Sequence, residues 1–352
     1  MPTIVAEKYQ FVIGVDTHAQ NHVAAIVDSR GAVIATRVVR VTGPQMNGLI
    51  GWIRRVTNSA ENVLLAIEGT SSYGETLTKL ALANGLAVAE VKPPKTKTRG
   101  GAGKTDRIDA ELAALGVLRL EVKKLITPRN GTERKSLRIL LTSRRNIVTQ
   151  QSAAKNALMA LLRGCDLGMD ARRALKPEHY RAISLWQTRA GDDQEQAIAR
   201  YEAKRLASSI LDADLVLEQN AAQLGGLVNS LTPGLLDTSG VGPVTAAQII
   251  CSYSHKGRVR SAAAFASLAG TTPIPASSGN VVRHRLNRFG DRALNNAIHT
   301  IALTRMRTDE ATKAYVEKRT AGGQSGREIR RCLKRYIARA LYKQLEAYNI
   351  GD

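Results

Sequence analysis

Phe11-Val12-Ile13-Gly14-Val15-Asp16 is an apolar run that ends in a carboxylate. A short β-branched run of this kind reads as a buried strand. Downstream, Asn21 to Val27, a Ser29-Arg30-Gly31 turn and Ala32 to Val39 read as two further short strands, so the chain opens as a meander. A helix is expected over Pro44 to Val56. A second apolar run, Val63-Leu64-Leu65-Ala66-Ile67, then delivers Glu68 at its end, as the first run delivers Asp16. After a helix from about Tyr73 to Asn84 and a short strand from Ala87 to Val91 comes a loop rich in Lys, Pro and Gly. It leads into Lys104-Thr105-Asp106-Arg107-Ile108-Asp109-Ala110. Asp106 and Asp109 are three residues apart at what reads as a helix start, a spacing that puts them on one face.

This order of elements is that of a ribonuclease-H-like sheet, in which the first and fourth strands are neighbours and the closing helix packs across them. Asp16, Glu68, Asp106 and Asp109 are then expected to meet, although they are far apart in sequence. Clustered carboxylates repel unless cations lie among them, and a pair of hard cations roughly 3.5–4 Å apart needs several oxygen ligands. The expectation is a Mg²⁺ site, with Mn²⁺ as the substitute, serving phosphodiester chemistry. A plainer reading stands beside it. Asp16 also suits a strand-end turn, and Asp106 with Asp109 suits the acid preference of a helix N-terminus.

The 352 residues suffice for two or three domains with a sizeable core. With 51 basic and 30 acidic residues the formal charge is +21, which points to a polyphosphate partner. The excess is concentrated at the C-terminal end: residues 241–352 hold 19 basic against 7 acidic side chains. A membrane is not expected, because no apolar run approaches the length of a spanning helix and no signal-peptide pattern is present. The expected location is cytoplasmic, with association to the nucleoid. Cys165, Cys251 and Cys332 are widely separated, lack metal-finger spacing and read as thiols in a reducing compartment.

Residues from Thr132 to Leu162 read as a long helix carrying Arg134, Lys135, Arg138, Arg144 and Arg145. A second long helix is expected from Asp193 to Leu231, with Leu206, Ile210, Leu217, Leu224 and Leu227 along one side. The two suit an antiparallel coiled coil or helical hairpin, within one subunit or between two. Beyond them, Ser239-Gly240-Val241-Gly242-Pro243 before a small-residue helix is similar to the turn of helix-hairpin-helix DNA-binding modules, where glycines let the backbone approach a phosphate. Such turns also cap helices without binding anything. Ser277-Ser278-Gly279 then stands in a loop followed by Arg283, Arg285, Arg288 and Arg292, a setting in which a serine can attack a phosphate held by guanidinium groups, or an ordinary surface turn.

Taken with the acids, these segments make the whole chain resemble the bacterial insertion-sequence transposases of the DEDD type, which join a RuvC-like domain to a C-terminal transposase domain with a serine. The residues that carry the likeness are Ile13-Gly14-Val15-Asp16, Ala66-Ile67-Glu68, Lys104 through Ala110, Ser239 through Pro243, Leu268-Ala269-Gly270 through Pro273 to Ser278-Gly279, and Arg288-Phe289-Gly290-Asp291. The middle helices match in placement only.

The resemblance implies an α/β plus α architecture: a ribonuclease-H/RuvC-like domain over 1–125, a helical coiled-coil and dimerisation region over 126–232, and a mainly helical transposase domain over 233–352. It implies that Asp16, Glu68, Asp106 and Asp109 ligate Mg²⁺. Ser278 becomes the nucleophile that forms a covalent phosphoserine, with Ser277 adjacent as the other choice. Candidate nucleic-acid contacts are Lys104, Arg107, Gly240, Gly242, Arg283, Arg285, Arg288 and Arg292. Implied partners are double-stranded donor and target DNA, a structured guide (bridge) RNA that supplies sequence choice, and further copies of the chain as a dimer that pairs into a tetramer.

Two other readings use the same residues. In a RuvC-like Holliday-junction resolvase the four acids activate water and the C-terminal third only binds DNA. In a non-catalytic nucleic-acid-binding protein neither set turns over.

Overall fold

The computed structural model describes residues 2–92, 105–129, 131–275, 284–285, 287, 289–348 and 350. The chain divides into two compact units, 1–129 and 130–352.

In the first unit, β1 (Phe11–Thr17), β2 (Asn21–Asp28) and β3 (Val33–Arg40) form the expected antiparallel meander. On the other side of β1, β4 (Val63–Glu68) and β5 (Ala87–Val91) pair in parallel, so the sheet order is β3-β2-β1-β4-β5. One face is covered by α2 (Gly43–Val56) and α3 (Glu75–Ala83), the other by α4 (Asp106–Leu118) with the short α1 (Val5–Lys8). Ile13, Val15, Leu65 and Ile67 enter the first core, whereas Val12, Leu64 and Ala66 enter the second. Burial on both faces explains why β1 and β4 read as unbroken apolar runs rather than alternating ones. This is the ribonuclease-H-like arrangement the element order predicts.

Gly14 sets how closely α4 approaches. A Cβ built on it would lie 1.9 Å from the Ala110 carbonyl oxygen and 2.6 Å from the Ala114 nitrogen, both backbone atoms of α4. The helix therefore lies directly on β1, and its facing residues, Ala110 and Ala114, are small and fully buried. Since Ala110 and Ala114 sit over Gly14 while Asp106 comes within reach of residues beyond it, α4 runs back along β1 and its first turn lies at the strand's C-terminal end.

The second unit opens with α5 (Thr132–Gly164) and α7 (Gln194–Leu231), joined through α6 (Pro177–Ser184). The long pair is an antiparallel hairpin within the chain. Asn220 Nδ2 donates to the Leu140 carbonyl at 3.1 Å, Arg144 Nη1 to the Leu217 carbonyl at 2.8 Å, and Gln151 Nε2 to Asp214 Oδ1 at 2.6 Å. The apolar seam of α7 differs slightly from the leucine row expected. Ala203, Ala207, Ile210, Leu224 and Val228 are fully buried or nearly so, while Leu206 and Leu227 only flank them. Alanines allow a close approach at the centre, which the leucine pattern does not show. Two residues of the basic helix α5 are internal struts: Arg134 is buried with Nε on the Cys251 carbonyl at 3.1 Å, and Arg144 holds α7.

Beyond the hairpin come α8 (Pro243–Tyr253), α9 (Ala262–Leu268), a ribbon of β6 (Ile274–Pro275) with β7 (His284–Arg285), then α10 (Arg292–Thr308), α11 (Glu310–Ala321) and α12 (Gly326–Leu345). Leu137, Leu141, Leu224 and Val228 of the hairpin share one core with Tyr253, Phe265, Ile298 and Tyr342. The far end of the hairpin has a separate core around Leu158, Ile183 and Ile210. There Arg200 and Asp192 form a buried bidentate pair at 2.9 Å, with the Trp186 ring 5.2 Å from the guanidinium, and the pair holds the Asp192 carboxyl down at about 2.

Gly14→Val is expected to destabilise the first unit by at least about 3 kcal/mol, because backbone of α4 must move to admit the side chain. Gly116→Ala on the exposed face of the same helix, where a Cβ meets nothing, should stabilise by about 0.5–1 kcal/mol. Chemical denaturation of both variants checks the pair.

Candidate active site

Asp16 stands near the end of β1 and Glu68 at the end of β4, one step beyond the last paired residues Val15 and Ile67. Both share the sheet side of Val12, Leu64 and Ala66, which is the side that carries α4. Thr105 caps α4 by accepting from the Ile108 amide at 3.3 Å, and Asp106 and Asp109 occupy the first turn. Asp109 is buried and Asp106 exposed. The helix dipole favours acids here, so the position suits the plain reading of these two residues.

A residue that the sequence reading passed over joins them. His18 Nε2 lies 3.2 Å from Asp16 Oδ2 and 3.5 Å from Asp106 Oδ1. Asp16, His18 and Asp106 each offer a ligand atom, and these atoms lie within 4.8 Å of one another. The signal that could have found His18 is its parity: two residues beyond Asp16 along an extended chain, it projects to the same side. Glu68 does not belong to this tight group. Its backbone does approach, since Thr17 Oγ1 donates to the Glu68 carbonyl at 2.9 Å.

Asp16 is held above the usual carboxylate range. Burial is the main cause, the charges of Asp106 and Asp109 add to it, and His18 works against it through its charge and hydrogen bond. On the opposite side of the sheet, His22 is fully buried and burial pushes its pKa down, which keeps the ring neutral. Two carboxylates facing one nitrogen at hydrogen-bond distance mark a place where positive charge is favoured. A divalent cation fits that donor set, with carboxylate oxygen from Asp16 and Asp106 and imidazole nitrogen from His18.

The other expected site residues fare differently. Arg107 is exposed and its Nε pairs with Glu111 Oε1 at 3.1 Å. Gly240 adopts φ +75° with its backbone against α10, so that a Cβ would lie 3.0 Å from the Ile301 carbonyl oxygen, and the Ser239 carbonyl accepts from Arg305 Nε at 2.7 Å. Gly242 precedes α8, its amide donating to Thr245 Oγ1 at 3.0 Å. Arg285 pairs with Ile274 in the β6–β7 ribbon, and Arg292 is exposed at the start of α10. Lys104, Ser277, Ser278, Arg283 and Arg288 lie outside the described residues. Among the described residues, no helix is long and apolar enough to cross a membrane.

If the cluster holds a cation, protons and metal compete for Asp16. Because its carboxyl is raised above 3.8, Mn²⁺ affinity measured by titration calorimetry should begin to fall at a higher pH than an ordinary carboxylate would require. Asp106→Asn should weaken binding at least about 10-fold. Asp16→Asn should remove this carboxyl's share of the pH dependence, leaving that of His18 and Asp106, and raise the melting temperature of the metal-free chain, since a raised acid costs stability wherever it is ionised.

Comparison with known proteins adds a family. The DEDD transposase model of IS110 matches residues 13–166, which include all four acids. A second model, described as transposase of the IS116/IS110/IS902 family, matches residues 234–317, which include Ser278. A curated relative from Streptomyces coelicolor, the insertion element IS110 uncharacterized 43.6 kDa protein, is 31% identical over 123 residues. That stretch is 34% of this chain and 30% of the relative, so the match spans less than a third of that protein's length. With matching models at both ends, the chain belongs to the IS110 family of insertion-sequence transposases.

Proposed function

We propose that this protein is a DNA transposase that cuts and rejoins strands through a covalent phosphoserine, with its acids serving a divalent cation. The observation that carries the reading is the convergence of Asp16, His18 and Asp106 at the C-terminal end of β1 in a chain of this family. Glu68 and Asp109 complete the acidic set on the same side of the sheet. Mg²⁺, or Mn²⁺ in its place, would neutralise the phosphodiester as a nucleophile approaches.

Ser278 is the proposed nucleophile. Its Oγ attacks phosphorus and loses its proton, a P–O bond to serine forms, and the bond to the leaving strand's oxygen breaks as that oxygen takes up a proton. Attack by the hydroxyl of another strand reverses these steps and frees the serine. Bond energy is conserved in the protein–DNA ester, so rejoining needs no other energy source. The same reading gives the chain donor and target DNA as substrates, an element-encoded RNA as guide and further copies of itself as partners.

The test is to trap a protein–DNA adduct on DNA carrying both recombination sites, with the element's RNA and Mg²⁺. Wild type should form the adduct and Ser278→Ala none. Asp106→Ala and Glu68→Ala should lower cleavage by at least about 100-fold while RNA binding stays near wild type. Full cleavage by Ser278→Ala, with metal dependence intact, would instead favour hydrolysis of the resolvase kind.

A further inference from the structure

The flank between α10 and α12 carries a polar trough whose lining includes none of the four acids. One cavity of about 560 Å³ is lined by His299 of α10 and by Arg327, Arg330, Arg331 and Lys334 of α12. A neighbouring cavity of about 460 Å³ shares His299 and continues past Asn296, Asn295 and Arg292 to Phe289. These α10 residues recur at three- and four-residue steps, so they form one stripe of the helix.

Charge within the trough is one-sided. In α12, seven basic residues accompany a single acid, Glu328, which faces Arg331 and whose carboxylate accepts from Ser325, the cap of the helix. Asp291, beside the second cavity, caps α10 through the Ala293 and Leu294 amides and accepts from Ser252 Oγ at 2.6 Å. Both acids are thus committed to local structure. Lys334 is half-buried and fixed, its Nζ donating to Asn295 Oδ1 at 2.7 Å while Asn295 Nδ2 donates to the Ala269 carbonyl at 2.6 Å. Burial together with the nearby Lys334 and Arg330 charges lowers the His299 pKa.

The opposite end of the trough is aromatic. Phe289 is 81% exposed, an unusual setting for a large apolar ring in a chain with only three phenylalanines. Its amide donates to Asn287 Oδ1 at 2.9 Å, and the following Gly290, at φ +108°, backs so closely onto the Leu268 carbonyl that a Cβ would lie 2.3 Å from it. The ring is therefore presented from an anchored backbone. Guanidinium forks suit phosphate oxygens, and an exposed ring suits the face of a base that has left its own stack. Inorganic phosphate would satisfy the arginines and leave Phe289 unused. A duplex keeps its bases stacked.

We infer that the α10–α12 trough binds an unpaired nucleic-acid strand, with successive phosphates on Arg327, Arg330 and Arg331 and a base stacked on Phe289. The inference rests on the recombinase reading only for the kind of polymer the protein handles. The strand can be DNA displaced during cleavage or a single-stranded part of an RNA, and the chemistry of recognition is common to both.

Fluorescence anisotropy of the full chain with labelled single-stranded DNA, single-stranded RNA and duplex DNA of arbitrary sequence tests it. The triple variant Arg327→Gln, Arg330→Gln, Arg331→Gln should bind one or both single strands on the order of 10- to 100-fold more weakly, with a salt slope shallower by about 2. Phe289→Ala, an exposed position that does not threaten folding, should weaken the same strand about 10-fold without changing the slope and leave duplex binding unaltered. Which strand responds identifies the ligand. Arg335→Gln with Arg339→Gln removes exposed charge from α12 outside the trough and should change affinity less than about 3-fold. Equal losses in that control, or single-strand binding unchanged in both the triple variant and Phe289→Ala, would overturn the trough while leaving the transposase reading intact. A wild-type chain that binds no nucleic acid would overturn both.

Discussion

The absence of a side chain at Gly14 governs the first unit. It lets the backbone of α4 rest on the backbone of β1, and no other residue type leaves that space. The acids depend on this contact more than on any bond between themselves. They come from three distant segments, and at neutral pH their charges repel. Packing of α4 brings Asp106 and Asp109 toward Asp16 and helps to bury it; burial chiefly, with the two neighbouring charges adding to it, raises the Asp16 carboxyl. The site is thus strained electrostatically by a contact that is purely steric. A cation among these groups would relieve the strain.

Much of this was legible in the order of residues. Unbroken apolar runs at 11–15 and 63–67, each ending in an acid, specify parallel neighbours buried on both faces, and β1 and β4 are such a pair. The acids at 106 and 109 announced a helix start, and Thr105 caps it. His18 was missed because it stands one residue past the strand, where its parity with Asp16 gains meaning only once the sheet side of Asp16 and the path of α4 are known. The reason for Gly14 was equally hidden, since a glycine in a strand announces close approach without naming the partner.

In the second unit, side-chain chemistry read from composition proved ambiguous for arginine. The long helix α5 looked uniformly basic, yet Arg134 and Arg144 serve the interior, each ending on a backbone carbonyl of another helix. Length and charge alone do not distinguish a strut from a phosphate ligand; the difference lies in whether a buried acceptor faces the guanidinium. Glycines show the same ambiguity. Gly240 and Gly290 both adopt positive φ, and at each the missing Cβ admits a backbone carbonyl of a neighbouring element. For an aromatic ring, too, what counts is where it stands, and Phe289 stands in the open.

The bonds across the α5–α7 hairpin have a consequence for measurement of distance. Asn220, Arg144 and Gln151 each reach a specific carbonyl or carboxylate on the facing helix, so sliding the helices by a single turn would break all three bonds and leave the buried Asn220 and Gln151 without these partners. The hairpin therefore has one register and one length. At 38 residues α7 is a rod of about 57 Å, close to the rise of about 17 base pairs of duplex. It is a stiff rod, and the separate core at its far end is held at a set distance from the core at its base.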